Sequence, residues 1–545
     1  MKKIKTFFQN QLNILTSDED NLINHIIKVR SLNNNFFEFK YKDYWPNDLP
    51  GLESCITSAM KAIINKKKCA IVGDYDVDGI TATALFKRFF NHLNIDLETI
   101  IPNRFINGYG ITPSLIKEID ADVIFTVDNG TTAYEAIDYI QSIGKTLIII
   151  DHHDVVKELP IETFLNPKRT ENIWNNLCAA GLSFVFLCEL KKNLKKEKYI
   201  PEIVADFSFD YVDIVALGTV CDIMSLTYLN RVFVYHGLNK LKNDAIAGLK
   251  VFQIENPNTN SFGFIIGPHI NATGRFGHAE IALKLLTTND YEEAKVLLNN
   301  MKIMNDERRN IEKKIVKEAI QNAKGNRIIY SIGKWHEGVI GIVASRLKDE
   351  FKLPAMVITN KDGIYKASIR SACDFRAGQF IKDGIKCGAI KFGGGHDGAG
   401  GFVMEENQLN LFEEFIFNYD FSPQLPKLKI DGVISIFCLT QCKWIQKLEP
   451  CGAGNNSAVF LIPNCQIYNF QFIKNHLSLI LMNESTNKLK VIMFDVLNKP
   501  TEIITKQSII HAIIQVNTYM NNASFQLIDF IIPSDDLQEI QVLLK

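Results

Sequence analysis

Four short stretches of this chain end apolar runs in hard donor side chains. The first, Ile71-Val-Gly-Asp74-Tyr-Asp76-Val-Asp78-Gly79, sets three carboxylates at alternate positions. The others are Phe125-Thr-Val-Asp128-Asn-Gly130, Ile148-Ile-Ile-Asp151-His152-His153 and Leu217-Gly-Thr-Val-Cys-Asp222. A single Asp after an apolar run reads as a helix N-cap. Four such motifs in one part of the chain read as one polynuclear metal site, assembled at the ends of adjacent elements. Adjacent residues at a strand end point in different directions. One of the paired histidines can therefore ligate a metal while the other meets substrate. Carboxylate and imidazole donors without thiolate suit manganese or magnesium better than zinc. Two such ions, bridged by a carboxylate, would clamp a phosphodiester and activate a water. A calcium loop fits the first motif poorly, because its twelfth position needs a bidentate Glu and here it is Leu85. A phosphatase that uses an Asp as nucleophile and an Asp two residues on as acid leaves Asp128 and the histidine pair partly unexplained.

These donors need a frame. Apolar runs at 69–73, 98–102, 122–127 and 146–150 read as strands, with helical patterns at 81–92 and 132–143. Alternation of this kind predicts a parallel sheet. Ligands bind such sheets outside the carboxyl ends of the strands, where the acidic and histidine motifs fall. Residues 291–324 are nearly unbroken helix-forming sequence, long enough to act as a spacer. A second α/β unit follows, with strands at 327–331 and 355–359 and a helix at 341–350. It ends in Phe392-Gly-Gly-Gly-His396-Asp-Gly-Ala-Gly-Gly401. Beyond 421–426 the pattern turns to β, and a hairpin over 516–530 predicts a small barrel. The expected division is an N-terminal appendage at 1–45, a metal-bearing domain at 46–285 and a linking helix at 286–324. A second α/β domain at 325–420 and a β-barrel at 421–545 complete it.

Composition sets looser bounds. At 545 residues the chain exceeds one compact core, and 46% apolar with 22% charged residues is ordinary for globular protein. A formal net charge of −1 gives no global signal for nucleic acid, so any basic track is local. The polar start carries no signal-peptide pattern. No run approaches the roughly 18 apolar residues of a membrane helix. Eleven scattered cysteines, several in apolar segments, suit a reducing cytoplasm. Cys438, Cys442, Cys451 and Cys465 lack a close Cys-x-x-Cys pair and read as thiols rather than a zinc site.

The four donor motifs resemble those of the DHH phosphoesterase superfamily. Later segments resemble one branch of it, the RecJ single-stranded-DNA exonucleases. They include Pro102-Asn-Arg104 with Gly108-Tyr-Gly110, and Gly267-Pro-His-Ile-Asn271-Ala-Thr-Gly-Arg275. Trp335-His-Glu-Gly through Arg346, Ser368-Ile-Arg370-Ser371, Gly393-Gly394-Gly395-His396 and Leu448-Glu-Pro-Cys-Gly-Ala-Gly-Asn455 extend the likeness from about residue 50 to the end. The resemblance implies a DHH domain, a DHHA1-like substrate-binding domain and a C-terminal barrel of oligonucleotide-binding (OB) type. It implies Asp76, Asp78, Asp128, His152 and Asp222 as ligands of two Mn²⁺ or Mg²⁺ ions, with Asp78 or Asp128 bridging. Asp74 and Asp151 would stand beside them as support or further ligands, and His153 would face the scissile phosphate. Ser368 and Arg370 would take a 5′-phosphate, a role suited to a guanidinium beside a hydroxyl. Arg104, Asn271, Arg275, Gly394, Gly395 and His396 would contact the strand. His269 departs from the resemblance, standing where an Arg is expected, and the glycine-rich stretch carries more glycine than expected. The implied activity is metal-dependent 5′→3′ digestion of single-stranded DNA to 5′-mononucleotides in repair and recombination. The expected setting is a cytoplasmic monomer, with a single-stranded-DNA-binding protein and a helicase as partners. Two alternatives stay open: a DHH phosphodiesterase of short oligonucleotides or small nucleotides, and a non-enzymatic replication scaffold of the same fold.

Overall fold

The computed structural model describes residues 19–33, 35–103, 106, 110–197, 209–423, 429–436, 439, 444–494, 496, 505–519, 522–531 and 543–544. Within it a five-stranded parallel sheet runs in the order β2-β1-β3-β4-β5. The strands are β1 (Cys69–Val72), β2 (Leu97–Ile100), β3 (Val123–Val127), β4 (Thr146–Ile150) and β5 (Phe164–Leu165). Alternate residues enter two separate cores. Ile71, Phe125, Val127, Ile148 and Ile150 join one, while Ala70, Val72, Ile124, Leu147 and Ile149 join the other. Both faces are therefore covered, which is why these strands read as continuous apolar runs rather than alternating ones. Strand order reverses between β1 and β3, and a sheet opens its ligand crevice at such a switch point.

The Leu217–Asp222 motif corrects the expectation of a strand end. Residues Val212–Cys221 form a helix, and Asp222 is its C-cap. Val212 through Thr219 are all buried. A helix apolar on every side has no amphipathic period, so its sequence cannot be told from a buried strand.

A second sheet has the order β6-β7-β8-β10-β9. Its strands are β6 (Ile329–Gly333), β7 (Ala355–Lys361), β8 (Ile364–Arg370), β9 (Phe392–Gly395) and β10 (Ala399–Glu405). Only β6 and β7 pair in parallel, joined through the helix Ile340–Phe351; the remaining pairs are antiparallel. The long helix spans Tyr291–Gln321, 31 residues.

The C-terminal domain is introduced by β11 (Lys429–Ile430) and β12 (Gly432–Val433). Five strands follow: β13 (Ala458–Ile473), β14 (His476–Met482), β15 (Lys488–Met493), β16 (Ile509–Tyr519) and β17 (Asn522–Ile531). They pair as β13-β14-β15-β17-β16, and β16 returns to β13, closing a barrel. Closure removes the exposed sheet edge.

The chain divides into two compact units. The first comprises 1–267, 283–294 and 427–545, so it holds both the parallel sheet and the barrel; the second comprises 268–282 and 295–426. Described residues of the segment expected as an N-terminal appendage pack into the barrel's core. Ile26 of the helix Glu19–Arg30 and Phe36 beyond it are buried among the barrel's apolar residues. Arg30 grips Asp431 with two bonds of 2.7 Å. Arg231 donates to five backbone carbonyls, those of Phe36, Lys447, Leu448, Glu449 and Pro450. That guanidinium lies 3.8 Å from the centroid of the Phe36 ring. Among the described residues no helix is long and apolar enough to cross a membrane.

Candidate metal centre

Three donors in the first unit, Asp76, Asp78 and Asp128, are set by local backbone geometry. Asp76 follows β1 and accepts from the Asp78 and Gly79 amides at 3.0 and 3.2 Å, capping the helix Val77–His92. The N-cap reading of this motif is therefore also correct. Asp78 caps a different helix, Ala179–Lys196, accepting from Ala179 N at 2.7 Å and Ala180 N at 2.9 Å. Asp128 stands just after β3 with φ 63, a left-handed backbone that Asp tolerates better than most residues. Two glycines permit the close packing. A Cβ on Gly79 would fall 2.5 Å from the Asp74 amide nitrogen, and one on Gly218 would fall 2.6 Å from Thr81 Oγ1 and 3.0 Å from Asp78 Oδ1.

The carboxylates converge on one imidazole. His152 Nε2 lies 3.2 Å from Asp128 Oδ1, 3.6 Å from Asp222 Oδ2 and 3.7 Å from Asp78 Oδ2. Donor atoms of Asp74, Asp76 and Asp128 form a second group whose members lie within 4.8 Å of one another. Asp151 takes another part. It accepts from the amides of Thr131, His152 and His153 and from His153 Nδ1 at 2.7 Å, so it orients His153.

Protonation follows from the crowding. Burial, then the charges of Asp78 and Asp76, push Asp222 up to about 9. Burial and Asp76 raise Asp78 to about 6. Asp128 moves up as well, through burial and the charges of Asp78, Asp76, Asp74 and Asp222. Asp151 moves the opposite way: burial opposes its charge, but the hydrogen bond and charge of His153 outweigh burial and hold it well below the usual carboxylate range. Burial likewise disfavours the His153 cation, yet Asp151 raises it to about 9.

The donors fit a hard divalent cation. Asp222 Oδ2 is buried and takes part in no hydrogen bond. A cation among these oxygens would satisfy it and relieve the repulsion that raises the neighbouring carboxyls. Cys178 and Cys221 lie close by, but burial and the adjacent aspartates push both thiols up. The donor atoms that converge within 4.8 Å of one another are all carboxylate oxygens and imidazole nitrogens, which favours manganese or magnesium over zinc.

The domains match known models. Residues 68–219 match the DHH family N-terminal domain, 325–419 the DHHA1 domain and 430–528 the RecJ OB domain. The single-stranded-DNA-specific exonuclease RecJ of Haemophilus influenzae is 28% identical over 90% of this chain and 92% of its own length. RecJ of Salmonella typhimurium is 30% identical over 67% of this chain and 68% of its own length. The chain belongs to the RecJ family. A crystal structure of exonuclease RecJ bound to manganese is 28% identical with a TM-score of 0.59, covering 69% of this chain and 96% of that one.

The remaining residues expected from the RecJ resemblance lie in the second unit, except Arg104, which is outside the described residues along with Gly108 and Tyr109. Cys438 and Cys442 are outside them too. Ser368 and Arg370 are two residues apart on β8, and Arg370 Nη1 donates to Ser368 Oγ at 3.2 Å. Burial alone lowers the Arg370 guanidinium, with no carboxylate contributing. Gly401 of β10 pairs with Ser368 on one side and Gly394 on the other, so these positions share one row of the sheet. Gly395 pairs with Gly400, and His396 N donates to Ala399 O at 2.9 Å. Asn271 and Arg275 lie on the helix Gly267–Arg275, and Arg275 Nη1 donates to Gly338 O at 2.7 Å. Sequence reasoning missed Gly341. A Cβ there would fall 3.0 Å from Arg370 Nη2 and 3.2 Å from Ser368 Oγ. The signal was a glycine opening the helix expected over 341–350 and second in the observed helix Ile340–Phe351, where helix propensity disfavours it.

Proposed function

We propose that this protein is a metal-dependent, single-stranded-DNA-specific 5′→3′ exonuclease that releases 5′-mononucleotides. One observation carries the reading: Asp78, Asp128 and Asp222 surround His152 Nε2 in a chain of the RecJ family. Asp76, Asp78, Asp128, His152 and Asp222 hold two Mn²⁺ or Mg²⁺ ions, with Asp74 in support. When bound, such ions polarise a phosphodiester and lower the pKa of the attacking water. The chain's own residues supply orientation and charge. Asp151 keeps His153 cationic at neutral pH, so its ring can donate toward a phosphate oxygen. Ser368 and Arg370 take the 5′-terminal phosphate, whose dianion carries more charge than an internal diester. Asn271, Arg275, Arg104 and the row Gly394–His396 hold the strand backbone, and the barrel guides the strand farther along. Action as a cytoplasmic monomer in repair and recombination, beside a single-stranded-DNA-binding protein and a helicase, belongs to the same reading.

The test is a paired digestion of 5′- and 3′-labelled strands with Mn²⁺ and with chelator. Labelled mononucleotide is expected at once from the 5′ label, a shrinking ladder from the 3′ label, and neither with chelator. Asp128→Asn removes a donor charge while keeping the left-handed backbone accessible, and should lower the rate on the order of a thousandfold. Cleavage in chelator, or mononucleotide released first from the 3′ label, would overturn the reading.

A further inference from the structure

Directly after the metal-site residue Asp222 the chain turns through Ile223, which is left-handed at φ 57 and 75% exposed. A β-branched residue is a poor choice for that backbone, and its side chain gains nothing from water. A second exposed apolar pair, Phe264 at 75% and Ile265 at 44%, sits on the π-helical turn Ser261–Ile266. Turns of this kind gather at functional sites.

The two segments are neighbours. Cys221 Sγ lies 3.5 Å from Phe262 O, and a Cβ on Gly263 would fall 3.7 Å from Val220 Cγ1. Both segments are also tied to one loop of the barrel domain. Leu226 N donates to Ala453 O, and Thr259 Oγ1 to Cys451 O, each at 2.7 Å. Ile223 thus follows Asp222 directly, and the turn bearing Phe264 and Ile265 packs against the helix that ends there.

We propose that Ile223, Phe264 and Ile265 form a platform on which a nucleobase of the strand being cut rests. The occupant follows from the position. A phosphate engaged at Asp222 brings its own sugar and base within one nucleotide's reach. Every base has an apolar face that stacks on aromatic and aliphatic side chains. A contact without hydrogen bonds to the base edge is indifferent to sequence, as digestion through any sequence requires. The inference rests on the exonuclease reading.

The test compares wild type, Phe264→Ala and Phe264→Trp on an ordinary strand and on one whose first three nucleotides are abasic. Phe264→Ala should lose about tenfold in kcat/KM on the ordinary strand, the order of one base–aromatic stack, and little on the abasic strand. Phe264→Trp should retain most activity. Stacking is read separately by 2-aminopurine near the 5′ end, bound to Asp128→Asn protein; its fluorescence should be quenched, and Phe264→Ala should relieve the quench. Equal losses on both strands, or none on either, would overturn the platform. So would an unquenched probe, which would leave the patch to a protein partner or a second copy. If wild type cuts neither strand, the exonuclease reading fails, and the quench alone then decides the platform.

Discussion

At the residue scale, a carboxylate cluster this dense carries a proton affinity that can be measured. Asp222 rises from an ordinary 3.8 to about 9, and Asp78 to about 6. Between the unfolded and folded values the native state binds more protons than the unfolded chain, so stability falls as pH rises. His153, raised from 6.5 to about 9, has the same sign: its contribution is complete below its unfolded value and is lost as pH climbs through 9. In chelator the melting temperature should therefore decline from about pH 5 to about pH 9. Mn²⁺ should flatten the decline by replacing the protons. A profile in chelator that rises with pH would contradict the assignment. At the other end of the chain's chemistry, Arg370→Ala should cost about 1.5–3 kcal/mol on 5′-phosphorylated strands and less on 5′-hydroxyl strands. Gly341→Ala should move the same ratio in the same direction, because a methyl 3.0 Å from Nη2 displaces the guanidinium. Paired kcat/KM measurements on the two strands decide both. If Arg370→Ala discriminates and Gly341→Ala does not, the guanidinium has room to give.

At the scale of elements, the glycine in the Leu217–Asp222 motif has a packing reason. A Cβ on Gly218 would meet Ala180 Cβ at 2.7 Å and Thr81 Oγ1 at 2.6 Å. Three helices meet there, and overpacking at such a point costs about 1–3 kcal/mol. Gly218→Ala should lower the denaturation midpoint in chelator by that amount and weaken Mn²⁺ binding, since the helix that ends at Asp222 must shift. An unchanged midpoint would mean that the helices part cheaply. This helix also marks how far the sequence could be read. The parallel strands, the long helix and the barrel hairpin were legible because their periods or lengths are distinctive. Val212–Cys221 was not, because burial on every side erased its helical period. Asp128 and His152 were legible as candidate donors from their side-chain chemistry, and the structure brings them within 3.2 Å of each other. The role of Asp151 was not legible, because an Asp beside two histidines does not show which of them it orients; that of Gly341 was not, because it acts through Ser368 and Arg370, distant in the chain.

At the scale of the whole molecule, the barrel is built into the metal-bearing unit rather than appended to it. Arg231 serves five carbonyls from two segments. Lysine offers three donors in place of this rigid fork, so Arg231→Lys should destabilise by at least about 2 kcal/mol. Limited proteolysis should then release the barrel early. Retention of the wild-type fragment pattern would show that Arg30 and Asp431 suffice to hold it. The Arg30–Asp431 contact has a consequence in time as well as space. His25, on the same helix, meets the backbone of Asp431 across 406 residues of chain. A chain leaves the ribosome from its N-terminal end, so that helix has no core to enter until the barrel has been synthesised. The turn after Asp222 waits likewise for Ala453. The contacts at Asp431 and Ala453 that brace this unit therefore form only once most of the chain has been made.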